Sequence, residues 1–203
     1  MGDITIENLL SKIERILKNS PLPFFPLRNA TPKEFYEAIG KAKDTNDYGA
    51  FVEQHTLEDY ANMQFLFLTL DGKAGVAITS DHNIVSIFNG GTQKGVLKTL
   101  IPAAIEAGGN KLDNYDSDKL SSMYELYGFD PVSKCEFNET FAPDDWNYER
   151  DGKPDIVFWV HNGDSAEDVI LNFGGYDVDW DNVQLFSTYE EAEKYRNEQI
   201  TSK

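Results

Sequence analysis

With 203 residues, 40% hydrophobic and 26% charged, the chain can bury one medium core with an appendage, which excludes a disordered or fibrous protein. Its 35 acidic and 18 basic residues give a formal charge of −17, a surface that repels nucleic-acid phosphates and anionic membranes. One cysteine, Cys135, excludes an internal disulfide, and no apolar run reaches the ~20 residues of a membrane span.

The acidic start, MGDITIENLL, has no basic-then-apolar pattern, so no secretory signal is expected and the compartment expected is the cytoplasm. Such a charge suits solubility, a basic or DNA-binding protein partner, or a cationic amine substrate. His55, His82 and His161 are scattered without metal-ligand spacing, so no metal site is expected.

In chain order, Ile4 to Leu17 carries apolar residues at helical spacing, with Thr5 or Asp3 as cap. Asn19 to Pro26 holds three prolines and reads as a stiff tether. Ala30 to Lys43 predicts a helix with Thr31 and Glu34 in capping-box spacing. Phe51 and Val52 suggest a short strand, and Thr56 with Asp59 starts a short helix. Gln64 to Leu70, Lys73 to Thr79 and Ile84 to Asn89 predict an antiparallel meander, with Asp71-Gly72 as its first turn.

The stretch that follows carries the chemistry. Gly90, Gly91 and Gly95 punctuate a loop, and Val96, Leu97, Leu100, Ile101, Ala104 and Ile105 recur at helical spacing until Gly108-Gly109. Pro102 lies inside that helix. A loop leaving a buried strand and entering a helix presents backbone N–H groups and a positive dipole end to an anion. Lys111 to Tyr115 predicts a strand, for which parallel pairing becomes possible, and Ser117 to Tyr127 a helix. Strands at Pro131 to Phe137 and Asp155 to Val160 flank a long connection with Trp146, a lid or an anchored surface loop. A short helix from Ser165, a strand at Val183 to Phe186 and a charged helix at Tyr189 to Gln199 complete the chain. Asp177, Asp179 and Asp181 superficially resemble a calcium loop but lack its Gly and terminal Glu.

Two motifs resemble the Gcn5-related N-acetyltransferase (GNAT) superfamily, in a divergent form like those of phages and mobile elements. Tyr124, Gly128 and Phe129 match its Y-x-x-x-G-F. Gly95 matches the Gly of Q/R-x-x-G-x-G/A at the helix after the fourth strand, while Thr92 and Leu97 depart from that motif's ends. The resemblance implies a mixed α+β fold: a GNAT-like central mixed sheet with a splayed strand pair, flanked by helices. The expected organisation is an N-terminal helix and tether (1–28), the GNAT-like domain (29–162) and a small acidic C-terminal appendage (163–203).

It further implies an acetyl-CoA-dependent N-acyltransferase acting on a small amine or a protein side chain. Gln93, Lys94, Gly95, Val96 and Leu97 would clamp the pyrophosphate, backbone N–H groups of Ile87 and Phe88 would stabilise the oxyanion, and Tyr124 would protonate the thiolate. Asp81, His82 and Glu58 are candidate bases, as is a water. Thr92, Leu97 and the unselected base support an alternative, a catalytically inactive relative that binds a basic or DNA-binding partner through its acidic surface.

Overall fold

The structure, a computed structural model, describes residues 5–45, 49–91 and 94–201. It has the expected mixed α+β architecture, with two four-stranded sheets among the described residues. The chain divides into two compact units, one of Met1–Asn110 with Asp164–Leu171, the other of Lys111–Gly163 with Asn172–Lys203.

The first unit begins with α1 (Ile6–Lys18), capped by the Thr5 hydroxyl, which buries Leu9, Ile13, Ile16 and Leu17. A short strand β1 (Leu27–Asn29) follows, then α2 (Pro32–Thr45), α3 (Leu57–Asn62), β2 (Phe65–Thr69), β3 (Ala74–Ile78) and β4 (Ile84–Asn89). The four strands pair antiparallel in the order β1-β2-β3-β4. Strand alternation sends Leu66, Leu68, Ala77 and Phe88 to one face, where they pack with Phe35, Ile39 and Ala42 of α2 and Tyr60 of α3. Phe67, Val76 and Ile78 are buried as well, so the sheet is covered on both faces.

The next helix, α4 (Leu97–Glu106), keeps Pro102 inside its run and packs on α1 and β3. It stops as the paired glycines require. Gly108, at φ +95°, donates to Ile105 O at 2.9 Å, and Gly109 donates to Ala104 O at 2.8 Å. Residues 164–171 also belong to this unit; their helix α7 (Ala166–Leu171) packs on α4.

The second unit holds β5 (Lys111–Tyr115), α5 (Asp118–Glu125), β6 (Phe129–Cys135), α6 (Tyr148–Asp151), β7 (Ile156–His161), β8 (Gln184–Phe186) and α8 (Tyr189–Thr201). Its sheet runs β5-β7-β6-β8, with β5 antiparallel to β7 and β8 parallel to β6. Pro131 is tolerated in β6 because the register shifts there, between Pro131 and Ser133, and β8 pairs only from Ser133 onward. Burial raises the Cys135 thiol to about 11, as suits an inert core residue.

The structure corrects four expectations. Residues 163–203 form no separate appendage: 164–171 join the first unit, while β8 and α8 complete the second sheet. Arg196 of α8 is fully buried, bonded to Glu193, facing Asp113 at 3.6 Å and stacked on Phe158. Phe51 lies in a 3-10 turn, Gly49–Phe51, rather than a strand. The segment after Pro26 is not all tether, since β1 extends the first sheet. The strand at Lys111 pairs antiparallel, and the parallel pair is β6 with β8.

The predicted capping box at Thr31 and Glu34 forms, and Thr56 with Asp59, the expected helix start, makes a second. Thr31 N–H donates to the Glu34 carboxylate at 2.8 Å and Thr56 N–H to the Asp59 carboxylate at 3.0 Å, with each hydroxyl accepting in return. Hydrogen bonds from Thr31 and from Thr56 hold the two carboxyls below their ordinary range. A depressed carboxyl contributes stability above its unfolded value and loses it as pH falls through its folded value. The double variant Glu34→Gln, Asp59→Asn is therefore expected to be less stable at neutral pH. Its stability should also fall less steeply between about pH 5 and pH 3, measured by urea unfolding across that range.

Candidate functional site

The element that carries most of the expected site is β4, the terminal strand of its sheet. Its pairing with β3 is irregular. Gly75 faces Phe88 and Ala77 faces Val85, so Ser86 and Ile87 together oppose the single residue Val76. This is a β-bulge, which takes an extra residue out of the ladder and bends the strand. Ser86 adopts φ +51° although it has a side chain. That backbone region costs a non-glycine residue roughly 1–2 kcal/mol, so something must hold it.

What holds it is a directed run of hydrogen bonds. Ser86 Oγ donates to Glu53 O at 3.1 Å, a carbonyl that can only accept. Ser86 Oγ therefore accepts from the Tyr60 hydroxyl at 2.9 Å, and Tyr60 accepts in turn from the His55 backbone N–H at 3.2 Å. Tyr60 is buried, and that burial raises its phenol above the ordinary value despite the Ser86 bond, so the donor stays protonated. The His55 ring lies edge-on to Tyr60, with Nδ1 3.8 Å from the Glu53 carboxylate. Sequence reasoning placed none of Glu53, His55, Tyr60 and Ser86 in the site. The available signal was Ser86 itself, a lone hydroxyl on the buried face of an otherwise apolar strand.

Alternation then sorts the two expected oxyanion donors. Gly90 N–H points to β3, where it meets Lys73 O at 2.8 Å. Amides two apart share a side, so the Phe88 N–H also faces β3, beside its partner Gly75, while the Ile87 N–H points away from β3. Of the pair, Ile87 alone keeps the expected direction.

The loop after β4 is built by packing as much as by conformation. A Cβ on Gly90 would lie 2.5 Å from Ala42 Cβ, so α2 requires glycine there. Gly91 N–H is taken by Asn89 Oδ1 at 3.2 Å. Gln93, like Thr92, lies outside the described residues. Lys94 is exposed and Gly95 takes φ +83°. Val96 is fully buried and stands at the start of α4 without any side-chain cap, while Leu97 is half-buried.

A strap lies beside this helix start. Thr99, fully buried, accepts from Phe25 N–H at 3.0 Å and donates to Pro23 O at 3.2 Å. The Pro23 ring sits 3.5 Å from where a Gly95 Cβ would be. The proline segment is thus fixed to the first turns of α4.

The candidate bases are not gathered. Asp81 and His82 lie in the turn before β4, the opposite end of the strand from the glycine loop, and Glu58 is exposed on α3. A cleft of about 440 Å³ between α2 and the β2–β3 turn reaches Gly90, lined by Arg28, Glu34, Glu37, Lys41 and Lys73. Among the described residues, none of those expected to bind the cofactor lines it.

In the second unit, Tyr124 is buried between Phe129 and Trp159, with ring centroids at 6.2 and 6.0 Å. Burial first, and then the Asp113 carboxylate, push its phenol well above the ordinary range. It stays a neutral O–H donor at physiological pH and is a weaker acid than a free thiol. Gly128 of the same motif has φ +76°, with Asn162 only 2.8 Å from the place of a Cβ. The long connection is anchored by Trp146, whose indole donates to Gly152 O at 3.0 Å and whose ring meets Tyr115 at 4.6 Å. Asp179 spends its carboxylate on its own turn, accepting from Asp181 N–H at 2.9 Å and Asn182 at 2.6 Å.

No helix among the described residues is long and apolar enough to cross a membrane. Comparison of the chain with protein-family models, with curated proteins and with solved structures finds no match.

The Thr99 bonds give a direct prediction. Thr99→Val keeps the shape and leaves the Phe25 N–H without its acceptor, so it should cost about 1–3 kcal/mol of stability in urea unfolding. It should also release the strap, seen as faster tryptic cleavage after Lys18.

Proposed function

We propose that the chain is an acetyl-CoA-dependent N-acyltransferase of the GNAT type that transfers its acyl group directly to an amine. The observation that carries the reading is the bulge in β4, followed by the glycine loop and an uncapped helix start. The Ile87 amide, at the bulge, points away from the ladder, and the loop leads to a positive dipole end suited to a pyrophosphate. The helix follows the fourth strand, as the sequence resemblance requires.

In this reading Gly95, Val96 and Leu97 offer the anion their backbone, with Lys94 as counter-charge, and the resemblance adds Gln93. The Ile87 N–H receives the thioester oxygen as it gains charge. The amine attacks the carbonyl carbon, the C–S bond breaks, and a proton from the amine leaves to a base or water. Tyr124 has its part from the Tyr124, Gly128, Phe129 motif. A phenol held above the thiol range assists by donating a hydrogen bond to the departing thiolate, with no need for full proton transfer. The charge of −17 favours a cationic amine or a basic protein as acceptor.

A second reading has one observation in its favour: Pro23 already lies against Gly95. In that case the fold has lost its cofactor, and the acidic surface binds a basic or DNA-binding protein.

Thermal unfolding with coenzyme A separates the two. At 100 times Kd, binding adds about 2.7 kcal/mol, which for a chain of this length raises Tm by roughly 5–10 °C. No shift at millimolar coenzyme A overturns the transferase. With an acceptor amine in hand, Tyr124→Phe should lower kcat by about 10²-fold, with little change in the Tm rise that coenzyme A gives.

A further inference from the structure

The strained residue in β4 is the feature that the transferase reading leaves unexplained. A glycine would take φ +51° at no steric cost, yet the chain places Ser86 there and buries it. Its hydroxyl is the link between Tyr60 and Glu53 O. Tyr60 is itself packed against Phe35 at 5.0 Å and held from behind by the His55 N–H, so its oxygen has little freedom. The buried phenol sits next to the one place where β4 leaves its register.

We propose that Tyr60 is a positioning residue: through Ser86 it locks the bulge and so fixes the direction of the Ile87 amide that receives the thioester carbonyl. The inference rests on the acyltransferase reading and adds to it a residue that touches neither cofactor nor acceptor. Removing the Tyr60 hydroxyl leaves Ser86 bonded to Glu53 O alone. The Ser86 backbone then loses a bond that holds its positive φ, and the Ile87 N–H, in the peptide plane that follows Ser86, loses its fixed direction. Coenzyme A has no acyl carbonyl, so the lock matters for acetyl-CoA and not for coenzyme A.

The test is isothermal titration of the full chain with acetyl-CoA and, separately, with coenzyme A. Tyr60→Phe should weaken acetyl-CoA by roughly three- to tenfold, the worth of one hydrogen bond, and leave coenzyme A unchanged. Ser86→Gly accepts the positive φ without strain and lacks the hydroxyl, so it should give the same selective loss even if Tyr60→Phe folds poorly. An equal loss for both ligands, or no loss for either, overturns the positioning role while the transferase stands. If the unaltered chain binds neither ligand, the transferase reading fails first and the positioning role falls with it.

Discussion

Two residues of β4 set against one residue of β3 is the constraint from which the first unit's site follows. A regular strand would have continued its ladder through Ser86. Instead the backbone turns through a region that L residues avoid, and three hydrogen bonds in sequence from His55 N–H to Glu53 O keep it there. The helices α2 and α3 have their place in this arrangement because they bury the Tyr60 ring whose oxygen does the holding. The core and the candidate site thus meet at Tyr60.

The same unit shows glycine used for two different ends. Gly90 is glycine because Ala42 of α2 leaves no room, and this is a packing reason. Gly95 is glycine because its φ is +83°, and this is a conformational one. Neither reason needs an anion. What makes the loop a candidate for a cofactor is its position, between a bulged terminal strand and a helix start that no side chain caps. The Pro23 strap bears on both functional readings, because it lies against Gly95 and is bonded to Thr99.

Much of the fold was legible because its signals are local. Thr31 with Glu34 and Thr56 with Asp59 announced their helices, Gly108-Gly109 announced a helix end, and the β-branched run at Ile84 announced a buried strand. The C-terminal region was misread for a physical reason. Helix α8 buries an alanine and an arginine, Ala192 and Arg196, so it shows no apolar stripe, and its burial depends on Asp113, Glu193 and Phe158. A three-residue strand such as β1 carries too few side chains to show a period, whereas β8 falls within the strand expected at Val183 to Phe186. For the site, Ile87 was legible as part of a strand before a glycine loop. Its difference from Phe88 was not, because it depends on which amides the pairing with β3 takes up. Tyr60 and Ser86 are 26 positions apart, and no spacing rule links them.

Hydrogen–deuterium exchange with and without acetyl-CoA tests the central claim most directly, because it reads backbone amides and the claim concerns backbone amides. The account predicts slower exchange in peptides spanning residues 84–100 on adding acetyl-CoA. Unchanged exchange there, or protection confined to the cleft beside α2, would contradict it.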